Sequence, residues 1–149
     1  MSQHQFTIGK PASEFLAVSV LRRGAPHATD YSDGNWLVGN VTLSVGGFSG
    51  SYEADFRTTD FPRFQGQLRE LYHTLDGEAS LSTDEEQLRI TVSGDRLGHF
   101  EARCAAQDKA GTGNLLTFRL YFDQTEIPAI LQQLERIVHD YPVRGAPAA

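Results

Sequence analysis

The stretch SYEADFRTTDFPRFQGQLRELY (residues 51–72) decides the fold, because it returns in outline as TFRLYFDQTEIPAILQQLERIV (residues 117–138). The two segments align without a gap at a constant offset of 66 residues. Their identical pairs are Phe56 and Phe122, Thr59 and Thr125, Pro62 and Pro128, Gln67 and Gln133, and Leu68 and Leu134. Proline is tolerated in the first turn of a helix, where the backbone N–H has no intrahelical partner. We therefore predict two copies of a strand followed by a helix.

Helical periodicity follows the matched proline in both copies, with apolar residues recurring at spacings of three and four. These residues are Phe61, Phe64, Leu68, Leu71 and Leu75 in the first copy, and Ile127, Ile130, Leu131, Leu134, Ile137 and Val138 in the second. We predict helices near 60–75 and 125–140. Gly77 and Pro142 are helix-ending signals, and Thr59 or Asp60 can cap the first helix. Each helix has one apolar face that needs a core.

Strands are indicated by apolar side chains that alternate with a period of two. Residues 37–45 and 48–56 predict a hairpin, whose turn lies either at Gly46-Gly47 or at Phe48-Ser49. The register stays open, because both turns keep the apolar residues on one face. Further strands are predicted around 16–20, 88–92, 100–104 and 116–122, and a short piece around 78–81 adds a possible edge.

These elements combine into two strand-rich repeats, each with three strands and a final helix. Short connections such as Gly94-Asp95 exclude parallel crossovers, so the strands are expected to be antiparallel. The predicted fold class is α+β, an antiparallel sheet with two helices on one face. We expect a single domain over residues 1–142 and a disordered tail over residues 143–149.

Composition limits the classes of partner. The 149 residues carry a net charge of −6, which disfavours nucleic acid because phosphate binding needs clustered Lys and Arg. The chain has no apolar run long enough to span a membrane and no leader-like N-terminus, so we expect a cytoplasmic protein without a membrane partner. A basic protein or a small molecule is the expected partner. Cys104 is alone, which excludes an intramolecular disulfide.

None of the candidate chemical sites in the sequence has the residue spacing that its chemistry needs. The pairs Glu70 and His73, and Glu135 and His139, are typical of a charged solvent face, and their unequal spacings disfavour a shared metal. The patterns of a calcium loop, a phosphate loop and a nucleophile elbow fail at residues 30–41, 109–114 and 47–51 respectively. Cys104 falls on the apolar side of its strand. We expect no metal, no cofactor and no catalytic residues.

Trp36 is the main candidate for a binding role. It follows the turn residues Asp33-Gly34-Asn35 and alternates to the face opposite Leu37, which places it outside the core. Asn40, Glu53 and Asp55 share this outer face. Arg57 is a possible cation–π neighbour that covers the indole, and the alternative is an aromatic side chain ringed by acids that anchors a partner. The candidate partner-binding residues are Asp33, Trp36, Glu53 and Asp55.

Several short strings occur in an order that resembles the WapI-type immunity proteins, a family of small bacterial proteins. The strings are DYSDGNWL (30–37), GGFSGSYEA (46–54), LDGEA (75–79), GHFEA (98–102), AGTGNLLTF (110–118), DQTEIP (123–128) and QLERI (133–137). Members protect a cell against the toxic tail of a wall-associated, contact-dependent toxin. The resemblance implies a protein that binds and neutralises a cognate toxin domain without catalysis, and the acidic charge suits a basic toxin domain.

Two other classes remain as alternatives. A small-ligand-binding module would need a concave apolar pocket, for which the sheet face around Trp36 is the sequence candidate. An enzyme would need converging acid, base or nucleophilic groups. The sequence identifies neither the toxin nor the contact residues, and it leaves the oligomeric state open.

Overall fold

A computed structural model describes residues 4–148, which form two four-stranded antiparallel sheets. The first sheet has the order β1 (Gln5–Gly9), β2 (Phe15–Arg23), β3 (Trp36–Val45) and β4 (Phe48–Arg57). The second has the order β5 (Glu78–Ser82), β6 (Leu88–Gly94), β7 (His99–Gln107) and β8 (Leu115–Asp123). In both sheets, neighbours in sequence are neighbours in space, as short antiparallel connections require.

A long helix follows each sheet. Helix α2 (Asp60–Thr74) follows the first sheet and helix α3 (Ile127–Asp140) follows the second, with a 3-10 turn (Gln124–Glu126) leading into α3. A single helical turn, α1 (Tyr31–Gly34), precedes β3. The two predicted helices are therefore present. Helix α2 ends earlier than Gly77, because Leu75 adopts a left-handed conformation with φ 60° and donates its N–H to the carbonyl of Leu71. Helix α2 packs on α3 and β5, and α3 packs on β1.

The predicted single sheet is corrected to two sheets, and the predicted three strands per repeat to four. The strand β1 is only five residues long and buries Phe6 and Ile8 alone, too short a run to predict a strand by alternation. The strand β5, with Ala79 and Leu81 buried, corresponds to the short piece around 78–81 and lies at the edge of the second sheet. The class α+β holds for the described residues.

The offset of 66 relates the structural elements as well as the residues. It carries β4 onto residues 114–123, within one residue of β8, and carries α2 onto residues 126–140, within one residue of α3. That the two units superpose in space, with both helices on one face, stays a prediction.

The open register of the first hairpin is now determined. Val45 pairs with Phe48 across the turn Gly46-Gly47, and Gly46 has a φ of 58°, which a glycine adopts without strain. Leu43 therefore pairs with Gly50, and Leu37 with Phe56. This is the first of the two predicted alternatives.

The core joins the first sheet to α2 through aromatic contacts. Phe6, Phe56, Phe61 and Phe64 are almost fully buried, and Phe61 lies with its ring centroid 5.6 Å from that of Phe56 and 6.4 Å from that of Phe6. Each buried phenyl side chain contributes roughly 1.5–3 kcal/mol. Cys104 is buried as predicted, and burial raises the pKa of its thiol to about 12.

Arg144 lies in the segment predicted to be a disordered tail (residues 143–149, of which Ala149 is outside the described residues) and makes polar contacts with distant residues, while the disorder of the segment stays a prediction. Its backbone N–H donates to Asn35 Oδ1 at 2.8 Å, and its guanidinium donates to the carbonyls of Pro26 and Ala28 at 2.7 and 2.9 Å. These contacts are polar and join residues 109 to 118 positions apart, so no local pattern in the sequence marks them.

Candidate functional site

A cleft of about 510 Å³ opens beside Trp36. Its lining residues are Gly24, Ala25, Ala28, Asp33, Trp36, Asp55 and Glu85, and we call it the Trp36 cleft. The segment between β2 and β3 forms one wall, the paired ends of β3 and β4 form another, and Glu85 reaches it from the β5–β6 connection. Three of the lining residues are acidic and none is basic. The cleft therefore favours a cationic group beside an aromatic surface.

Local hydrogen bonds shape the wall that carries Asp33. The side chain of Asp30 caps α1 by accepting from the N–H of Asp33 at 3.0 Å, as aspartate does at a helix N-terminus. Arg23, at the end of β2, donates to the carbonyl of Gly34 at 2.8 Å. The turn is thus fixed at both ends, and the exposed carboxylate of Asp33 is held at the cleft.

Arg57 lies over the indole of Trp36, with its guanidinium carbon 4.7 Å from the ring centroid. The same guanidinium donates to the carbonyls of Ser32 and Tyr31 at 2.7 and 2.9 Å, which ties the end of β4 to α1. The predicted cation–π neighbour is confirmed. Trp36 nevertheless stays half-buried and contributes to the cleft, so one part of its surface is fixed by Arg57 and another faces the cavity.

The side chain of Asn35 links three segments of this region by hydrogen bonds. It is fully buried, and its Nδ2 donates to the carbonyls of Tyr31 and Arg144, both at 2.8 Å. Its Oδ1 accepts from the hydroxyl of Thr58 at 2.7 Å and from the N–H of Arg144 at 2.8 Å. The sequence predicted only turn chemistry here, because three of these four contacts come from distant segments.

Asp60 lies beneath Arg57 and is buried at the start of α2. Its Oδ2 accepts from the backbone N–H of Arg57 at 2.8 Å. Burial raises the pKa of Asp60 to about 6, with a smaller contribution from the charge of Asp84, against the opposing effects of the Arg57 N–H and the charges of Arg63 and Arg57. The backbone of Arg57, which carries the side chain over Trp36, is thus held by a carboxyl group whose pKa is about 6.

The structure brings together three of the four predicted binding residues. Asp33, Trp36 and Asp55 line the Trp36 cleft, with both aspartates exposed. Glu53 is also exposed and pairs with Asn40 on the same outer face, but it does not line the cleft. Glu85 was missed, because it lies in a turn with no apolar pattern and joins the site only through the tertiary fold.

No group of three or more His, Cys, Asp or Glu side chains within residues 4–148 is arranged to hold a metal ion. The suspected half-motifs on the helices have other contacts: His139 Nδ1 lies 2.9 Å from Asp140 Oδ1, and Glu135 accepts from the side chain of Gln65. Hydrogen bonding and charge from Asp140 raise the pKa of His139. None of the helices within residues 4–148 has the length and the apolar character that a membrane-spanning helix needs.

Comparison with known proteins gives one family and a fold likeness. The model of the "Immunity protein WapI-like family" matches residues 7–142. A search of the curated proteins found no match.

Among solved structures, one described as "Crystal structures of trypanosoma bruciei MRP1/MRP2" has 10% sequence identity and a TM-score of 0.50, covering 91% of this chain and 83% of that chain. Another, "The Siderocalin Ex-FABP functions through dual ligand specificities", has 12% identity and a TM-score of 0.27, covering 98% and 91%. The first indicates a related fold only, and the second supports no inference.

Proposed function

The chain belongs to the WapI-like immunity protein family, and we propose that it binds and neutralises a cognate toxin domain in the cytoplasm without catalysing a reaction. The match to the family model over residues 7–142 is the observation that carries this proposal. In this proposal the protein acts by covering a surface that the toxin needs. Its effectiveness then depends on affinity and on the rate of association.

The Trp36 cleft is the surface that we propose for the toxin. It combines an aromatic side chain with the carboxylates of Asp33, Asp55 and Glu85. Carboxylates steer the approach of a basic partner, and an aromatic residue held in one orientation supplies contact area with little loss of side-chain entropy. Arg57 fixes Trp36 in this way. Glu53 extends the acidic surface along β4.

The two kinds of residue should affect different rate constants. Exposed carboxylates act over distances comparable to the Debye length of about 10 Å at 0.1 M salt, so they accelerate association mainly at low ionic strength. An aromatic anchor that becomes buried in the complex slows dissociation instead. Its truncation typically costs about 2 kcal/mol or more of binding free energy.

A co-expression experiment tests both the function and the surface. The candidate toxin tail, taken from a neighbouring gene that encodes a large toxin, if there is one, is expressed with the wild type, with Trp36→Ala and with Asp33→Lys, and cell survival is scored. Asp76→Lys is the matched control, since Asp76 is exposed, lies after α2 and pairs with Arg96 at 3.2 Å, outside the Trp36 cleft.

We expect protection by the wild type and by Asp76→Lys, and reduced protection by Trp36→Ala and Asp33→Lys. Failure of the wild type either to bind or to protect would refute the immunity function. Equal protection by all four proteins would leave the function standing and refute the choice of the Trp36 cleft.

A small-ligand-binding module is the second candidate function. The Trp36 cleft has a volume of about 510 Å³, within the range of roughly 300–1,000 Å³ that small-molecule sites occupy. A cationic ligand would suit its three carboxylates. Co-purification of such a ligand with the wild type, and its loss from Trp36→Ala, would favour this function.

A further inference from the structure

The solvent face of the second sheet carries arginines from three adjacent strands. Arg103 on β7 pairs directly with Arg119 on β8 and with Thr91 on β6. One row along the sheet, Ala105 pairs with Arg89 on one side and with Thr117 on the other. Directly paired residues have Cβ atoms about 4.5–5.5 Å apart and diagonal neighbours about 7–8 Å apart, so Arg89 and Thr117 flank Ala105 closely and the other three polar side chains stand one row away on the same face.

A concavity of about 380 Å³ lies over this cluster. Its lining residues are Arg89, Thr91, Arg103, Cys104, Ala105, Thr117, Phe118 and Arg119, and we call it the arginine pocket. The methyl side chain of Ala105 leaves room in the middle, while three guanidinium groups and two hydroxyl groups stand at the edges. Every charged side chain in its lining is a hydrogen-bond donor.

The placement of Arg103 directly opposite Arg119 lowers the stability of the folded protein. Like charges directly opposite each other on a sheet destabilise it, and Arg103 and Arg119 form such a pair. Glu101 lies 3.8 Å from Arg103 and 3.7 Å from Arg119, and Glu78 lies 3.3 Å from Arg103. These ion pairs are solvent-exposed and stabilise weakly, but they orient two guanidinium groups.

Arg89, unlike Arg103 and Arg119, is not paired with a glutamate among the described residues. Among residues 4–148, no ion pair joins Arg89 to a carboxylate, although its side chain is exposed at the pocket. A stabilising role on the sheet surface accounts for Arg103 and Arg119 in part and leaves Arg89 unexplained. A bound anion would be shared by all three.

We infer that the arginine pocket binds a compact anion bearing a phosphoryl group, either free phosphate or a small phosphomonoester. A phosphoryl group offers three or more acceptor oxygens, which three guanidinium forks and two hydroxyl groups can fill, whereas a carboxylate offers two. The pocket volume leaves space for a small organic part.

The surroundings favour a compact anion over a long polyanion. The next row of the sheet places Glu101 opposite Tyr121 and Ser93, and Glu78 pairs with Ser93 on the far side. A nucleic acid strand leaving the pocket in this direction would meet these carboxylates, on a chain whose net charge is −6. A phosphate held over Ala105 lies next to the arginines and does not reach the row of the sheet that carries Glu101 and Glu78.

The site can be tested by NMR with the full chain labelled with ¹⁵N. Amide and arginine Nε–H signals are followed while inorganic phosphate or glycerol 3-phosphate replaces chloride at constant ionic strength. A short single-stranded RNA forms a third arm. The variants are Arg89→Gln, which breaks no ion pair, and the double variant Arg89→Gln/Arg119→Gln. Arg96→Gln is the control, since Arg96 is 76% exposed and pairs with Asp76 outside the pocket.

We expect saturable shifts confined to residues 89–91, 103–105 and 117–119 with at least one phosphoryl probe. Affinity should fall about tenfold in Arg89→Gln and further in the double variant, and it should be unchanged in Arg96→Gln. Tighter binding of glycerol 3-phosphate than of phosphate would identify a phosphomonoester, and the reverse would identify free phosphate.

Three results would overturn the inference: no saturable shift with either phosphoryl probe, equal affinity in Arg89→Gln and the wild type, or much tighter binding of the RNA at this face. If the double variant loses its dispersed spectrum, Arg89→Gln alone decides.

Discussion

Replacing Asp60 with asparagine should change how the stability of the protein depends on pH. The carboxyl of Asp60 is buried at the start of α2 and accepts from the N–H of Arg57, and its pKa is raised from 3.8 to about 6. The folded protein therefore binds a proton more tightly than the unfolded chain. Stability from this group is fully present below pH 3.8 and is lost as the pH rises through about 6.

The magnitude follows from the two pKa values. One pKa unit corresponds to 1.36 kcal/mol, so the full contribution is about 3 kcal/mol, and about 2 kcal/mol of it falls between about pH 4.5 and about pH 8. Asparagine keeps an oxygen that accepts from the Arg57 N–H, but it cannot titrate. The wild type should gain about 2 kcal/mol of unfolding free energy relative to Asp60→Asn as the pH falls across this range.

Urea unfolding of both proteins at several pH values measures this difference directly. Subtracting the two curves removes the titration of the other carboxyl groups, and Asp76→Asn, at an exposed position after α2, is the control substitution. A difference between the wild type and Asp60→Asn that stays flat from about pH 4.5 to about pH 8 would refute the interpretation of Asp60 as a buried, protonatable support.

Two further substitutions test the packing around the site. Asn35→Ala should lower the unfolding free energy by about 3 kcal/mol, because it removes four hydrogen bonds made by a fully buried side chain and leaves their buried or half-buried partners unsatisfied. Asn40→Ala, on the half-exposed outer face, should cost under about 1 kcal/mol, and equal losses in urea unfolding would contradict the assigned role of Asn35. Gly39→Ala should lower the unfolding free energy by about 1–3 kcal/mol, because the added Cβ would lie 2.7 Å from the Phe56 ring. Gly50→Ala is the control, since its Cβ meets no atom within 4 Å, and it should be neutral or slightly stabilising. The melting temperatures of the two variants give the comparison, and equal values would show that the Phe56 ring moves aside without cost.

Local patterns were sufficient for the helices and the first hairpin. The periodic apolar stripes of α2 and α3 and the glycine pair at Gly46-Gly47 are signals contained within a few turns of chain. They predicted the class and the helix bounds, and they limited the first hairpin to two registers, of which the structure has the one with Val45 opposite Phe48. The same alternation predicted the outward direction of Trp36 and its contact with Arg57.

Local patterns of this kind did not predict that the strands divide into two sheets. Which strand ends a sheet depends on pairing between distant segments, and the short strand β1 shows only two buried apolar residues, Phe6 and Ile8. The same limit applies to polar residues of the site. Asn35 is defined by contacts with Thr58 and Arg144, and Glu85 reaches the cleft from the second sheet, so no local spacing marks any of them.

The most direct test of the central claim is the rate of association between this protein and the toxin domain proposed as its partner, measured at increasing salt concentration. If the acidic surface of the Trp36 cleft receives a basic toxin, the wild type should form a complex whose association rate falls as ionic strength rises, and Asp33→Lys should associate more slowly with a weaker salt dependence. Absence of a complex, or an association rate that is unaffected by salt and by Asp33→Lys, would contradict the proposed mode of binding.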